Sequence, residues 1–180
     1  MEVIKTGIEG LIVIKPSVFA DKRGYFYESY NAKRYRELGI DTPFVQDNQS
    51  CSKKRVIRGL HFQKPPFAQD KLVRVIQGSV LDAAVDLRKD STTYGLHFSV
   101  VLTGENHLQF FIPKGFAHGF AALEDDTIFA YKCSNLYHKD SEVTIRFDDP
   151  DLAIDWQIDN PIVNEKDLQS ENFRTFKTMF

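Results

Sequence analysis

Arg58-Gly59-Leu60-His61-Phe62-Gln63 is the stretch that decides the fold of this chain, together with Pro113-Lys114-Gly115-Phe116-Ala117-His118 further on. The first stretch is followed by Lys71 and Gly78. This arrangement has the outline of a paired metal-binding motif in a β-barrel, but the full set of ligands is missing. A histidine and a lysine stand where the chemistry of a carbonyl compound needs a base and a cation. The pattern therefore favours proton-transfer catalysis without a metal.

The two stretches resemble the paired motifs of a cupin barrel. The second cupin motif, Pro-x-Gly-x-x-His, is intact over residues 113–118. In the first motif His61 is present, whereas Gln63 replaces the second histidine and Lys71 occupies the glutamate position. A divalent metal prefers neutral imidazoles and carboxylates, so a lysine cation in the site works against it. The motifs predict the fold and argue against a metal site.

The rest of the chain reads mostly as short strands. One helix is predicted from Asn31, as N-cap, to Leu38, with Gly39 just past its end. Turn-forming residues separate many short apolar runs, which is typical of a sandwich or barrel. We therefore expect a mainly β, cupin-type double-stranded β-helix (a jelly-roll barrel) with a few short helices, forming one domain over residues 1–180. The predicted strands span residues 11–14, 25–30, 56–62, 72–77, 80–87, 96–102, 108–112, 119–123, 127–134 and 143–147.

Bulk composition sets modest limits on function. The chain has 180 residues, 42% of them hydrophobic, and a net charge of −2, which gives no general attraction to nucleic acid. No apolar run has membrane-spanning length, and the N-terminal segment does not look like a signal peptide. Cys51 and Cys133 lack CxxC spacing and favour reduced thiols in the cytoplasm, with a disulfide left open. No nucleic-acid or membrane partner is expected.

His61 and Lys71 suit enolate chemistry. Removing a proton from carbon next to a ketone needs a base, and histidine, with an ordinary pKa of about 6.5, serves near neutral pH. A lysine ammonium in a poorly solvated cavity stabilises the negative charge that develops on the enolate oxygen. Either residue alone is more often structural, but cupin-motif positions facing the barrel interior favour a functional pair.

Over most of its length the chain resembles the dTDP-4-dehydrorhamnose 3,5-epimerase family of nucleotide-sugar enzymes. Several long motifs in the same order are far more specific than a lone short pattern. They are Phe19-x-Asp21-x-Arg23-Gly24-x-Phe26-x-Glu28, Gln46-Asp47-Asn48-x-Ser50, Arg58-Gly59-Leu60-His61-x-Gln63, Gln69-x-Lys71-Leu72-Val73, Val85-Asp86-Leu87-Arg88-x-x-Ser91, Ile112-Pro113-x-Gly115-Phe116-Ala117-His118-Gly119-Phe120 and Lys166-Asp167.

The resemblance implies a reaction without a cofactor. Its substrate, a 4-keto-6-deoxyhexose on a nucleoside diphosphate, has carbons 3 and 5 beside the C4 ketone, so one enolate strategy inverts both centres. Carried over by position, His61 is the base, Asp167 its carboxylate partner, Lys71 the enolate stabiliser and Tyr131 the acid on the opposite face. Without the resemblance, Tyr131 is equally well interpreted as a core tyrosine. Asp167 would be interpreted as surface charge in a helical turn, and its pairing with His61 rests on the resemblance.

The resemblance also implies how the nucleotide is bound. Arg23 and Arg58 would pair with diphosphate oxygens and Phe26 would lie against the base. The first segment of the chain would reach the neighbouring subunit's pocket, which implies a homodimer with partly shared sites. The further binding positions are Glu28, Gln46, Asn48, His118, Tyr137, Glu142 and Lys166.

Other functions stay open at this stage. The implied product serves dTDP-L-rhamnose biosynthesis, but relatives that invert only one carbon, or act on other deoxysugars, use nearly the same residues. A metal-dependent cupin using His61 and His118 is a rival, disfavoured by Gln63 and Lys71. A sugar-binding cupin without activity is a second rival, disfavoured because mere binding needs neither a base nor an opposed acid.

Overall fold

A computed structural model describes all residues, 1–180, and is built of two antiparallel sheets with a small hairpin beside them. The helices are α1 (Ala32–Glu37) and α2 (Glu165–Leu168), and a 3-10 turn covers Lys139–Ser141. The strands are β1 (Glu2–Lys5), β2 (Ile12–Lys15), β3 (Phe19–Asp21), β4 (Gly24–Phe26), β5 (Gln46–Ser52), β6 (Ile57–Gln63), β7 (Lys71–Gln77), β8 (Ser79–Asp86), β9 (His97–Thr103), β10 (Gln109–Ile112), β11 (Phe116–Ala122), β12 (Thr127–Cys133) and β13 (Glu142–Thr144).

The sheets have non-sequential strand orders, as expected for a jelly roll. One sheet has the order β1-β2-β10-β7-β12-β5 and the other has the order β13-β6-β11-β8-β9, while β3 and β4 pair only with each other. The predicted mainly β, cupin-type fold is confirmed. The helices are six and four residues long, and neither is long or apolar enough to cross a membrane.

Three apolar clusters hold the layers together. The middle cluster lies between the sheets and joins Phe110 and Phe129 of one to Leu102 and Phe120 of the other. A second cluster packs the outer face of the β6-containing sheet under the C-terminal segment that includes Trp156. A third packs α1 on the outer face of the other sheet. Burying one such side chain stabilises the fold by about 1.5–3 kcal/mol.

The predicted helix is confirmed at both ends. Asn31 caps α1, because its side chain accepts the N–H of Arg34 at 3.3 Å. Gly39 follows with φ +88°, the left-handed conformation that glycine adopts freely. The buried Tyr35 fixes the helix on the sheet by donating its hydroxyl to Gln109 Oε1 at 2.6 Å.

The strand predictions err in two ways. Residues 25–30 were expected to form a strand, but only Gly24–Phe26 do, and the chain leaves the hairpin before α1. The strands β1, β3 and β5 were not predicted. All four residues of β1 are exposed, and β5 alternates exposed residues with half-buried polar ones, so neither carries an apolar alternation.

Candidate active site

Polar side chains from both sheets meet at a cavity with two lobes. The larger lobe has a volume of about 300 Å³ and the smaller about 200 Å³, and His61, Lys71 and Tyr131 line both. The larger lobe is also lined by Gln46, Asn48, Phe62, Gln63, Gln69, Cys133, Tyr137 and Glu142. The smaller lobe is also lined by Gln49, Ser50, Arg58, His118, Phe120, Phe129 and Asn164. The structure therefore brings together the base, cation and acid positions picked out from the sequence.

A β-bulge turns Arg58 and His61 to the same side of β6. His61 lies opposite His118 of β11, but Arg58 lies opposite Phe120, so three steps on β6 match two on β11. The extra residue reverses the alternation that would otherwise send the two side chains to opposite faces. Gly59 has φ +142°, and a Cβ there would lie 2.5 Å from the Cα of Gly119. Only glycine fits this position.

His61 pairs with the buried Asp167. Its Nε2 lies 2.7 Å from Asp167 Oδ1, and the Asp167 side chain is fully buried. The other oxygen, Oδ2, accepts the Gly59 N–H at 3.4 Å and the Asn164 side-chain amide at 3.2 Å. Asn164 also caps α2 by accepting the Asp167 N–H at 2.7 Å. A carboxylate held in this way fixes the orientation of the imidazole.

Lys71 begins β7 and, like His61, lines both lobes of the cavity. It pairs in register with Cys133 of β12. Desolvation lowers the pKa of Lys71, although the nearby groups Cys133, Asp82 and Glu142 act in the opposite direction. Part of the side chain still contacts solvent through the cavity. The site thus holds an ammonium where its charge is poorly screened.

His118, the histidine of the intact second motif, is bound by a carboxylate. Its Nε2 lies 2.9 and 3.0 Å from the two oxygens of Asp82, a residue with no exposed surface. Burial lowers the pKa of His118 and raises that of Asp82. No three His, Cys, Asp or Glu side chains are arranged as a metal-binding set. Asp82 was missed from the sequence, where a lone charge inside the apolar run 80–85 was its signal.

Tyr131 points inward from the middle of β12. It lies opposite Asn48 of β5 on one side and Val73 of β7 on the other. Burial raises the pKa of Tyr131, so the phenol keeps its proton at neutral pH. A protonated phenol is a proton donor, which is the form an acid catalyst needs.

A chain of polar contacts lines the rim of the larger lobe. Gln46 Oε1 accepts the N–H of Tyr137 at 2.9 Å, and its amide donates to Asn48 Oδ1 at 2.9 Å. The Tyr137 hydroxyl donates to Glu142 Oε2 at 3.1 Å, and the Lys166 ammonium pairs with the same oxygen. Burial opposes the charge on Glu142, but the bonds from Lys166 outweigh it and the pKa of Glu142 is lowered.

Two hydrogen-bonding groups stand out in the smaller lobe. Arg58 donates from Nε to Ser52 Oγ at 3.2 Å and is otherwise largely exposed. The Oγ of Ser50 is buried without any hydrogen-bond partner and lines the same lobe. Ser50 was not among the sequence-predicted site residues. Its signal was the alternation of Gln46, Asn48 and Ser50 on one face of β5.

Three predicted binding residues, all within residues 23–28, lie away from this cavity, and a fourth, Lys166, does not line it but pairs with Glu142 at its rim. Arg23 and Phe26 belong to the β3–β4 hairpin, where the Arg23 side chain is 84% exposed and pairs with Asp21 at 2.6 Å. Phe26 is 68% exposed. Glu28 pairs with Arg34 of α1 at 2.7 Å. The chain does not bring these residues to its own cavity, whereas Gln46, Asn48, Arg58, His118, Tyr137 and Glu142 line it.

Comparison with known proteins identifies the family of this chain. A profile of the dTDP-4-dehydrorhamnose 3,5-epimerase family matches residues 5–175. The dTDP-4-dehydrorhamnose 3,5-epimerase of Methanothermobacter thermautotrophicus is 52% identical, over 91% of this chain and 90% of the relative.

Solved structures give the same answer. The dTDP-6-deoxy-D-glucose-3,5-epimerase of Legionella pneumophila, in complex with dTDP-4-keto-L-rhamnose, superposes with a TM-score of 0.94 at 48% identity, over 98% of this chain and 94% of the other. A 3′-monoepimerase from Streptomyces bikiniensis in complex with dTDP-quinovose superposes with a TM-score of 0.89 at 30% identity, over 94% of this chain and 86% of the other. The chain therefore belongs to the dTDP-4-dehydrorhamnose 3,5-epimerase family of isomerases.

Proposed function

We propose that this isomerase inverts carbons 3 and 5 of dTDP-4-dehydro-6-deoxyglucose, by proton transfer through an enolate, in dTDP-L-rhamnose biosynthesis. The observation that carries the proposal is the single cavity lined by His61, Lys71 and Tyr131. The three groups come from both sheets, so they can surround a sugar ring. The bound dTDP-4-keto-L-rhamnose of the Legionella relative is a sugar of this class.

In the first step, neutral His61 removes the proton from the carbon beside the C4 ketone. Since Nε2 is bonded to Asp167, Nδ1 is the ring nitrogen left to take the proton. The electrons of the C–H bond form a C=C bond to C4, and the π electrons of the C4 carbonyl move onto its oxygen. The ketone thereby becomes an enolate. The Lys71 ammonium stabilises the enolate oxygen, and the Asp167 carboxylate stabilises the imidazolium.

In the second step, the enolate collapses to the ketone and takes a proton from the Tyr131 hydroxyl on the opposite face. The carbon is inverted, the imidazolium carries one extra proton, and the tyrosine is a phenolate. Loss of a proton from His61 to solvent and gain of one by Tyr131 restore both groups. The same cycle at the other carbon completes the reaction without a cofactor.

The nucleotide is held outside the reacting centre. Arg58 lines the smaller lobe and is the cation we assign to the diphosphate. Tyr137, Glu142 and Lys166 form a rim suited to the nucleoside. Further residues with proposed binding roles are Gln46, Asn48 and His118.

We further propose a homodimer in which the β3–β4 hairpin enters the neighbouring subunit's site. The exposure of Arg23 and Phe26 supports this, since neither reaches the cavity of its own chain. An arginine and an aromatic ring are the groups that a diphosphate and a thymine base require. Glu28, which follows the hairpin, belongs to the same group.

A second candidate is a single-site epimerase. It is favoured by the 3′-monoepimerase of S. bikiniensis, whose fold matches closely. The shared fold does not separate inversion at one carbon from inversion at two. The metal-dependent alternative predicts a stoichiometric metal needed for activity, which metal analysis of the purified protein tests.

The deciding experiment is incubation with dTDP-4-keto-6-deoxyglucose in deuterated water, followed by NMR. Label and inversion at both carbons are expected, because each new C–H bond takes its proton from a group that exchanges with solvent. Label and inversion at one carbon would establish the narrower enzyme. Absence of label, with the dTDP-sugar bound, would refute the proposed reaction.

A further inference from the structure

Gln63 occupies the position of the missing second histidine, and every polar atom of its amide is engaged. The side chain is buried and lines the larger lobe. Its Nε2 donates to Phe67 O at 2.7 Å and to Leu136 O at 3.2 Å. Its Oε1 accepts the N–H of His138 at 2.7 Å. All three partners are backbone groups of two loops, residues 64–70 (loop A) and residues 134–141 (loop B).

Other contacts join the same two loops. Gln69 of loop A also lines the cavity, and its amide donates to Asn135 O of loop B at 2.7 Å. The ring of His138 stacks on that of Phe67, with centroids 3.8 Å apart and planes 1° apart. Loops A and B therefore form one double-layered rim, with Gln63 as the side chain beneath both.

The rim carries Tyr137. Its N–H is held by Gln46 and its hydroxyl by Glu142, and the ring lines the larger lobe while remaining half exposed. Tyr137 lies between Leu136 and His138, the two loop B residues whose backbone Gln63 binds. The Gln63 amide thus holds the backbone on both sides of Tyr137.

We propose that Gln63 is a positioning residue for nucleotide binding, which acts by holding loop B so that Tyr137 stays over the cavity. An amide fits because the site needs two donated hydrogen bonds and one accepted bond, whereas a neutral imidazole has one donor and one acceptor. The position that supplies a metal ligand in a metal cupin serves here as a structural support for the rim. This inference rests on the proposed nucleotide-binding role of Tyr137.

The test compares Gln63→Leu, Tyr137→Ala and the double variant. Gln63→Leu keeps a side chain of similar size but leaves two carbonyls and one N–H without their partner. We expect KM to rise about five- to tenfold, with kcat within about twofold, because losing these bonds loosens the rim but not the strands that carry the reacting groups. In the Tyr137→Ala background the same change should raise KM by less than about twofold, because the two residues act as a unit.

A purely structural role predicts a different result. KM effects that multiply in the double variant, or an unchanged KM in Gln63→Leu, would overturn the proposal. Gln77→Leu is the matched control, since Gln77 is an exposed glutamine with one long contact, 3.4 Å to Asp126 O, and should leave KM unchanged. If Gln63→Leu does not fold, Gln69→Leu replaces it, and KM is compared among Gln69→Leu, Tyr137→Ala and their double variant. A smaller rise in KM is expected for Gln69→Leu than for Gln63→Leu.

Calorimetric affinity for dTDP separates this inference from the proposed reaction. Binding of dTDP requires no proton transfer, so it is expected to weaken in Gln63→Leu whether or not His61 is the base. Loss of epimerisation in His61→Ala with normal dTDP affinity bears only on the reaction. Unchanged dTDP affinity in Gln63→Leu would contradict the proposal that Gln63 positions the rim for nucleotide binding.

Discussion

The cavity wall and the β3–β4 hairpin differ in how far their polar and aromatic side chains are exposed to solvent. In the wall, Asp167 has no exposed surface and His61 is bonded to it at 2.7 Å. In the hairpin, the Arg23 side chain is 84% exposed and Phe26 is 68% exposed. Residues of the wall are held by hydrogen bonds within their own chain, whereas Arg23 and Phe26 are left exposed and are free to contact the proposed partner subunit's substrate. The wall should therefore govern the chemical step and the hairpin the binding of substrate.

The largest expected effect is that of His61→Ala. Removing the base should lower kcat by about a thousandfold, within the range for positioned acid–base groups, while dTDP affinity changes little. The measurement is turnover together with calorimetric binding. His97→Ala is the control, because His97 lies on β9 outside the cavity. Near-normal turnover of His61→Ala would remove the base from the mechanism.

A smaller effect is expected for Asp167→Asn. The amide keeps the size of the side chain but lacks the charge that stabilises the imidazolium, so kcat should fall about a hundredfold. The rate of deuterium uptake by the substrate measures this step directly. The exposed Asp155→Asn serves as control. Equal rates for Asp167→Asn and the parent would mean that the pair is structural only.

The hairpin predicts a binding effect of about tenfold. The double change Arg23→Ala and Phe26→Ala should raise KM about tenfold through lost phosphate and base contacts, with kcat unchanged. Unfolding free energy should change by less than about 0.5 kcal/mol, because these are surface positions. A large drop in thermal stability would show that the hairpin is part of the core instead.

Coexpression of a wall variant with a hairpin variant tests whether the two regions from different subunits form one site. A His61→Ala subunit has an intact hairpin, and a hairpin-variant subunit has an intact wall, so a mixed dimer would contain one complete site. Random pairing should restore about a quarter of normal activity at low substrate concentration, well above the sum of the separate variants. Activity equal to that sum would contradict shared sites.

The mildest effect concerns pH. Burial lowers the pKa of Lys71 and raises that of Tyr131, and the reaction needs both groups protonated. Because the pKa of Lys71 is lowered, loss of its proton should make kcat fall on the alkaline side below the ordinary lysine value of about 10.4. The same alkaline fall should persist in the Tyr131→Phe variant when the rate is measured as deuterium uptake by the substrate. A fall that disappears in that variant would assign it to Tyr131.

Different parts of the chain were predictable to different degrees. The motif around Pro113 and the spacing of short strands were enough for the fold, because apolar alternation and turn residues are local signals. The strand β5 was missed because its inward face lines a polar cavity, so Gln46 and Asn48 replace the apolar residues that mark a strand. The aromatic alternation at residues 25–30 predicted a longer strand than β4, but only Tyr25 and Phe26 lie exposed on or near the hairpin, whereas Tyr30 packs against the α1 cluster.

Residue types and their spacing in the printed chain were sufficient to predict the cupin architecture and to select His61 and Lys71 as the candidate base and cation. Packing alone decided that Asp82 binds His118, that a bulge at Gly59 turns Arg58 toward His61, and that Gln63 supports the rim. These contacts join residues far apart in the chain or depend on one extra residue in a strand. Their formation requires the backbone of the whole barrel to be in place, and no local pattern of side chains encodes that.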